Sequence, residues 1–227
     1  MSTPTPFQVA IEQSTIDAIL SKVKAYQWHE MPEIEPGADR WAYGADMEYM
    51  KELCAYWVDE FDWRTAEAKL NAFPQFKTTI ETQEIHFYHV KGSGSAPQPM
   101  ILTHGWPGSV FEFLDVIDLL AHPENHGGDA EDGLTLVIPS LPGYGFSGKP
   151  KKPLGPKRTA ELWDKLMRNT LGYDTYIAQG GDWGSIVSGQ LAYNHGTNKG
   201  GGCKAVHLNM WGLRSDTKPE TEEEQAW

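Results

Sequence analysis

Cysteine is scarce in this chain: two residues in 227, Cys54 and Cys203, far apart. That argues against a disulfide framework and makes a reducing cytoplasm the default setting. Long apolar runs are also missing. None approaches the roughly 18 residues of a membrane span. The opening MSTPTPFQVA has neither the basic start nor the apolar block of a signal peptide. No membrane anchor is therefore expected. Basic charge is in short supply: 19 Lys and Arg against 31 Asp and Glu leave a net charge of −12. The one local concentration, KPKKP at 149–153, is brief and sits among prolines. An acidic chain without a basic face is a poor partner for nucleic acid or an anionic membrane. Internal repeats and low-complexity segments are absent too. What the chain does have is apolar content, 40% of its residues. That is ample for the core of one medium-sized domain.

The first third reads as helical. Ser14 and Asp17 mark a helix start, and Ile16, Ile19, Leu20 and Val23 follow at helical spacing. MPEIEPGADR breaks the pattern. DMEYMKELCAYWVDEFDW then places Met47, Met50, Leu53, Cys54, Trp57, Val58 and Phe61 on one face. A short helix, TAEAKLNAF, ends at Pro74. Periodic apolar faces normally pack as core, so these aromatics are expected inside, with Cys54 a buried thiol.

From residue 77 the period changes. KTTIETQEIHFYHV alternates over two short runs and predicts a hairpin. PMILTHG, LTLVIPSLPG, TYIAQGG and CKAVHLNM are short apolar runs that read as buried parallel strands. Between them lie helical stretches: SVFEFLDVIDLLA, opened by a Ser109–Glu112 capping box; AELWDKLMRNTLGY, opened by Thr159; and SIVSGQLAYNH. Strands alternating with helices of this length imply parallel βαβ units. Such sheets bind and react at the carboxyl ends of their strands.

Two motifs fall at those ends. Gly180-Gly181-Asp182-Trp183-Gly184 has the G-x-nucleophile-x-G pattern of a nucleophile elbow, with Asp where hydrolases often carry Ser. Glycines suit a turn that presses backbone against backbone and takes unusual φ and ψ. A helix N-terminus behind the turn favours an anion. A serine needs a base to activate it. An aspartate is already ionised at neutral pH. Carboxylates suit attack on a saturated carbon bearing a leaving group, as in an epoxide or an alkyl halide, giving an ester that water must then hydrolyse. On the pentapeptide alone, a plain helix cap at Asp182 stands as the alternative. The second motif, HGWPGS from His104 to Ser109, occupies the loop that supplies one backbone N–H of an oxyanion hole. The residue after the nucleophile supplies the other. The donors here would be Trp106 and Trp183. His104 reads as a structural hydrogen-bonder rather than a base.

HGWPGS, PSLPGYGFS and GGDWGS, in that order and at these separations, resemble the α/β-hydrolase-fold epoxide hydrolases. FDWRTAEAKLNAFPQFKTTIETQEIHFYHV is similar to the N-terminal region of the microsomal-type branch, which includes soluble fungal and bacterial members. The resemblance runs from about residue 7 to 212. It implies a mostly parallel sheet with helices on both faces. An α-helical N-terminal meander over 1–76 would precede the first half of the hydrolase core, 77–212, with 213–227 the start of a cap. It implies that Asp182 opens the epoxide, with Trp106 and Trp183 as N–H donors and His104, Gly105, Pro107, Gly180, Gly181 and Gly184 as the supporting motif. Pro107 is expected to follow a cis peptide bond. A small apolar epoxide and water are the reactants. No metal or organic cofactor is implied, and a homodimer is left open. The setting implied is cytoplasmic and the role detoxifying.

Full members of the family continue into a helical cap with two tyrosines that protonate the epoxide oxygen. Later strands carry an acid and a histidine that activates water. This chain runs to RSDTKPETEEEQAW, about where the cap is expected to begin. It is therefore expected to be an N-terminal portion, inactive by itself. His207 lies in a strand before the cap position and does not match the family histidine. Tyr144 is a candidate lining residue, not the family's acid. Two alternatives stay open. A haloalkane dehalogenase uses the same nucleophile, although a polar or acidic residue is typical at the position of Trp106 and the N-terminal segment is absent there. A truncated, non-catalytic remnant is the other.

Overall fold

The computed structural model describes residues 2–210 and 221. The expected start of the cap, 213–227, lies outside the described residues apart from Thr221. The chain divides into two compact units, residues 8–72 and the remainder.

Three helices build the smaller unit: α1 (Gln13–Lys24), α2 (Met47–Asp59) and α3 (Trp63–Leu70). Their starts follow the available caps. Asp46 accepts the Tyr49 N–H at 2.8 Å and opens α2. Asp62 accepts from the N–H groups of Arg64 and Thr65, so α3 begins before TAEAKLNAF. Ser14 does not cap α1. The helix starts at Gln13, after Glu12, which makes no side-chain cap bond. Val9 is clamped by reciprocal bonds: its N–H donates to Asn71 Oδ1 at 2.9 Å and its carbonyl accepts from Asn71 Nδ2 at 2.8 Å.

The apolar face of α2 is not core. Leu53, Trp57 and Phe61 are 43%, 42% and 40% exposed. With Ile16, Ile19 and Tyr56 they line a hollow of about 740 Å³. Cys54 is half-exposed rather than buried and borders a second hollow of about 520 Å³. The reason is geometric. Periodicity shows that one face is apolar, but three short helices provide no further layer to close over it.

Among the described residues the larger unit holds a seven-stranded sheet in the order β1-β2-β3-β5-β4-β6-β7. The strands are β1 (Thr5–Phe7), β2 (Gln75–Ile80), β3 (Gln83–Val90), β4 (Gln98–Thr103), β5 (Leu134–Pro139), β6 (Tyr176–Gly180) and β7 (Cys203–Leu208). The predicted hairpin is β2 and β3, paired antiparallel with Ile80 opposite Gln83. Its tight loop holds Glu81 at φ 57, the left-handed region that two-residue hairpins use. β1 pairs antiparallel with β2, and β3 with β5. The four strands β5, β4, β6 and β7 are parallel, as their continuous apolar runs predict. Helices α4 (Leu114–Ala121), α5 (Pro156–Lys165) and α6 (Trp183–His195) connect them. α5 starts at Pro156, not Thr159, because a proline at the first helical position is already set for helix.

The order places β5 on one side of β4 and β6 on the other. The chain leaves β4 in one direction and β6 in the other, so the strand order reverses between them. A crevice opens at the carboxyl ends of strands at such a switch point. Trp163 on α5 fixes the β4 side of it. It is fully buried, packed with Ile101, Leu166, Met167 and Val187. Its Nε1–H donates to Thr103 Oγ1, on the last residue of β4, at 3.2 Å. Trp163→Phe is expected to destabilise the fold by about 1–3 kcal/mol, through the void and the unpaired hydroxyl. A urea-denaturation midpoint unchanged from the wild type would show that Trp163 does not hold β4.

Candidate active site

β6 ends at Gly180 and α6 begins at Trp183, so Gly181 and Asp182 alone make the turn. The reversal is achieved at Asp182, which adopts φ 51 and ψ −125. Side chains other than glycine rarely adopt this conformation, at a cost of about 1–3 kcal/mol. The unusual φ therefore falls on the aspartate. Among Gly180, Gly181 and Gly184 none has a positive φ. Their contribution is space. A Cβ on Gly180 would lie 2.1 Å from Gly184 O, and one on Gly184 would lie 1.9 Å from Thr103 O. Gly181 faces the Asn209 carboxamide, whose Oδ1 would be 2.5 Å from its Cβ.

Asp182 precedes α6 but makes no side-chain cap bond to it. The carboxylate is therefore more than a plain helix cap, because it reaches the loop after β4. Its Oδ1 accepts the Trp106 N–H at 2.7 Å. Gly105 leaves the room for this: a Cβ there would sit 2.5 Å from Asp182 Cβ. The Trp106–Pro107 peptide is cis. Asp182 is exposed, and its pKa is held below the usual aspartate value, chiefly by the Trp106 N–H and then by the Trp183 N–H. The elbow thus presents an ionised carboxylate met by amides from two different segments.

His104 anchors the same loop from below. It is buried, its Nδ1–H donates to Gly105 O at 2.9 Å, and its Nε2 accepts the Leu141 N–H at 3.0 Å. Those two bonds fix the neutral, Nδ1-protonated ring, and burial pushes its pKa down. With both nitrogens engaged, His104 is placed as a structural group. The Tyr144 ring meets it edge-on at 5.5 Å.

The structure therefore brings Asp182, the amides of Trp106 and Trp183, and the glycines together at one strand end. His207 is exposed on β7 opposite Gln179 and is not one of the groups bonded to Asp182. Asn209 belongs to the elbow, and the sequence reading does not single it out. It follows β7, its N–H donates to Gly180 O at 3.3 Å, and its Oδ1 accepts from Gln179 Nε2 at 3.4 Å. The usable signal is register: β7 pairs in parallel with β6 as far as Leu208 opposite Gly180, so the next residue must flank the turn. Among the described residues no group of three or more His, Cys, Asp and Glu could hold a metal, and no helix is long and apolar enough to cross a membrane.

A mostly parallel sheet with a carboxylate-bearing elbow after one strand, met by an amide from the loop after its neighbour, defines an α/β-hydrolase fold. The family model for that fold matches residues 98–226, and the model for the epoxide hydrolase N terminus matches residues 4–113. A putative epoxide hydrolase of Stigmatella aurantiaca is 42% identical over 207 residues, covering 91% of this chain and 45% of that protein. Epoxide hydrolase 1 of Oryctolagus cuniculus is 38% identical over 213 residues, covering 90% and 44%. The solved epoxide hydrolase of Aspergillus niger superposes with a TM-score of 0.83 at 36% identity, over 98% of this chain and 56% of that one. The chain belongs to the α/β-hydrolase fold family and, within it, to the epoxide hydrolases. It spans less than half the length of these two curated relatives.

Proposed function

We propose that the protein carrying this sequence opens small apolar epoxides to vicinal diols through an ester on Asp182. One observation carries the proposal: Asp182, strained at φ 51, points an ionised carboxylate out of the sheet with Oδ1 held by the Trp106 N–H at 2.7 Å. The attack is assigned to Oδ2, because the Trp106 N–H holds Oδ1. A new carbon–oxygen bond forms as the epoxide carbon–oxygen bond breaks, and the released alkoxide takes a proton. Water then adds to the ester carbonyl. The Trp106 and Trp183 amides, already aimed at this carboxyl group, stabilise the oxyanion. Collapse frees the diol and restores the carboxylate. The proton donor and the base that activates water are not assigned to residues 2–210. Trp106 and Trp183, whose amides meet the carboxylate, both carry exposed indoles, which favours an apolar substrate.

The direct test is intact-protein mass after mixing with a styrene-type epoxide, followed by peptide mapping. Transient addition of one epoxide mass at Asp182 is expected. Diol produced with the adduct on another residue would sink the proposal. In this scheme the amides act, not the rings. Trp183→Phe is therefore expected to keep turnover within about tenfold of the wild type, since full loss of an oxyanion donor costs on the order of 10²–10³. If Trp183→Phe were folded yet as inactive as Asp182→Ala, the indole itself would be required.

A further inference from the structure

Glu112 looks at first like a helix cap and nothing more. The capping box expected from Ser109 and Glu112 forms only in part, because the serine hydroxyl takes the amide of residue 111 rather than that of residue 112. Ser109 Oγ accepts the Phe111 N–H at 3.2 Å, and the Glu112 carboxyl accepts the Ser109 N–H. The first turn it opens is a 3₁₀ turn, Val110–Phe113, that leads into α4. In that turn the Glu112 N–H donates to Ser109 O at 3.1 Å.

The carboxyl reaches further than capping needs. A Cβ built on Gly108 would lie 1.4 Å from Glu112 Oε1. Glu112 thus occupies the space that a side chain at 108 would fill, two residues beyond Trp106. Loop 105–109 is consequently held at both ends. His104 fixes its start through the Gly105 carbonyl, and Glu112 fixes its end through the Ser109 N–H and the surface of Gly108. Between those points lies the N–H that meets Asp182. The two carboxyls also sense each other. Burial first, and then the charge of Asp182, push the Glu112 pKa up against the pull of the Ser109 N–H.

We propose that Glu112 is a positioning residue for the oxyanion loop: its carboxyl, seated over Gly108 and bonded to the Ser109 N–H, keeps the Trp106 N–H aimed at Asp182. The consequence for rate rests on the function proposed above. The consequence for the loop does not. A cap alone would steady the start of α4 and leave residue 106 unaffected.

The test uses the full protein with Glu112→Ala, Glu112→Asp and Glu112→Gln. Two readouts are taken: hydrogen exchange of the Trp106 amide and the rate of Asp182 alkylation in a single turnover. Glu112→Ala is expected to speed exchange at Trp106 at least about tenfold, leave the buried Ile117 amide of α4 unchanged, and slow alkylation by roughly 10- to 100-fold. Glu112→Asp, one methylene too short, is expected to match Ala, which covers the case of a poorly folded Ala variant. Glu112→Gln offers a carbonyl oxygen to the same N–H and is expected to restore both readouts to within about threefold. Exchange at Trp106 that is unchanged in both Ala and Asp overturns the inference, whatever the alkylation rates. Exchange that responds as expected, in a wild type that is never alkylated, supports the inference and rejects the proposed function instead.

Discussion

Asp182→Ala is expected to abolish diol formation, by on the order of 10⁴-fold or more. Among the described residues no other carboxylate is bonded to the Trp106 amide. Glu112, the other carboxyl at this loop, is turned onto the Ser109 N–H and lies against Gly108. Water attacking the epoxide directly would lack a positioned nucleophile. The route of the oxygen gives the sharper check. With enzyme in excess and water labelled with heavy oxygen, the first diol should carry no label. Its new oxygen comes from Asp182, because water adds to the ester carbonyl and cleaves the acyl–oxygen bond. The label should then be found in the Asp182 carboxylate. Label in the diol on that first turnover, or a folded Asp182→Ala protein that still makes diol, would rule out the covalent route.

That Asp182 can be picked out of the sequence as the candidate nucleophile has a physical reason. A small–x–acid–x–small pattern directly after an apolar run and before a helix leaves few places for the carboxylate to go. The proposed amide donors follow from the same constraint, since β4 and β6 are neighbours and both loops leave their carboxyl ends. What the pattern does not give is which residue carries the strain. A glycine is the natural guess for a positive φ, yet it is Asp182 that adopts it, while Gly180 and Gly184 are needed for close approach. Glu112 illustrates another limit. Its spacing from Ser109 encodes the cap, but its reach over Gly108 depends on how the loop folds back, which spacing does not record.

The same contrast runs through the fold. The hairpin and the parallel strands are legible because alternation and continuous apolar runs are imposed by burial on one or two faces. β1 is not, because three residues centred on Pro6 carry no period. Its pairing with β2 is a long-range fact. Helix starts drift by a few residues where caps compete, as at Asp62 and Pro156. The α2 face marks the deeper limit. Leu53, Trp57 and Phe61 share a stripe that reads as core but is open in the smaller unit. A stripe specifies that a face is apolar and is silent about what lies against it.

Close packing at the elbow leads to a prediction of opposite signs within one helix. Gly184 and Gly189 both lie in α6, where alanine is the better helix former by about 1 kcal/mol. At Gly189 nothing lies within 4 Å of an added Cβ, so Gly189→Ala is expected to stabilise the fold by about 0.4–1 kcal/mol. At Gly184 the added Cβ would lie 1.9 Å from Thr103 O, 2.7 Å from Thr103 C and 3.0 Å from His104 O. Those are backbone atoms of the strand end that carries the Trp106 loop, and they cannot rotate aside as a side chain can. The start of α6 must therefore move away from β4 by about an ångström or more. Overpacking of this kind costs typically 1–3 kcal/mol, occasionally more. The same movement stretches the 2.7 Å bond between Asp182 Oδ1 and the Trp106 N–H. A misplacement of about 1 Å at reacting groups costs on the order of 10²-fold in rate. Gly184→Ala should thus lose both stability and Asp182 alkylation, while Gly189→Ala gains stability and alkylates at the wild-type rate. Denaturant midpoints and single-turnover alkylation on the two variants decide the matter. If Gly184→Ala kept the wild-type midpoint and rate, the contact between the elbow helix and β4 would not be what fixes Asp182 against its amide.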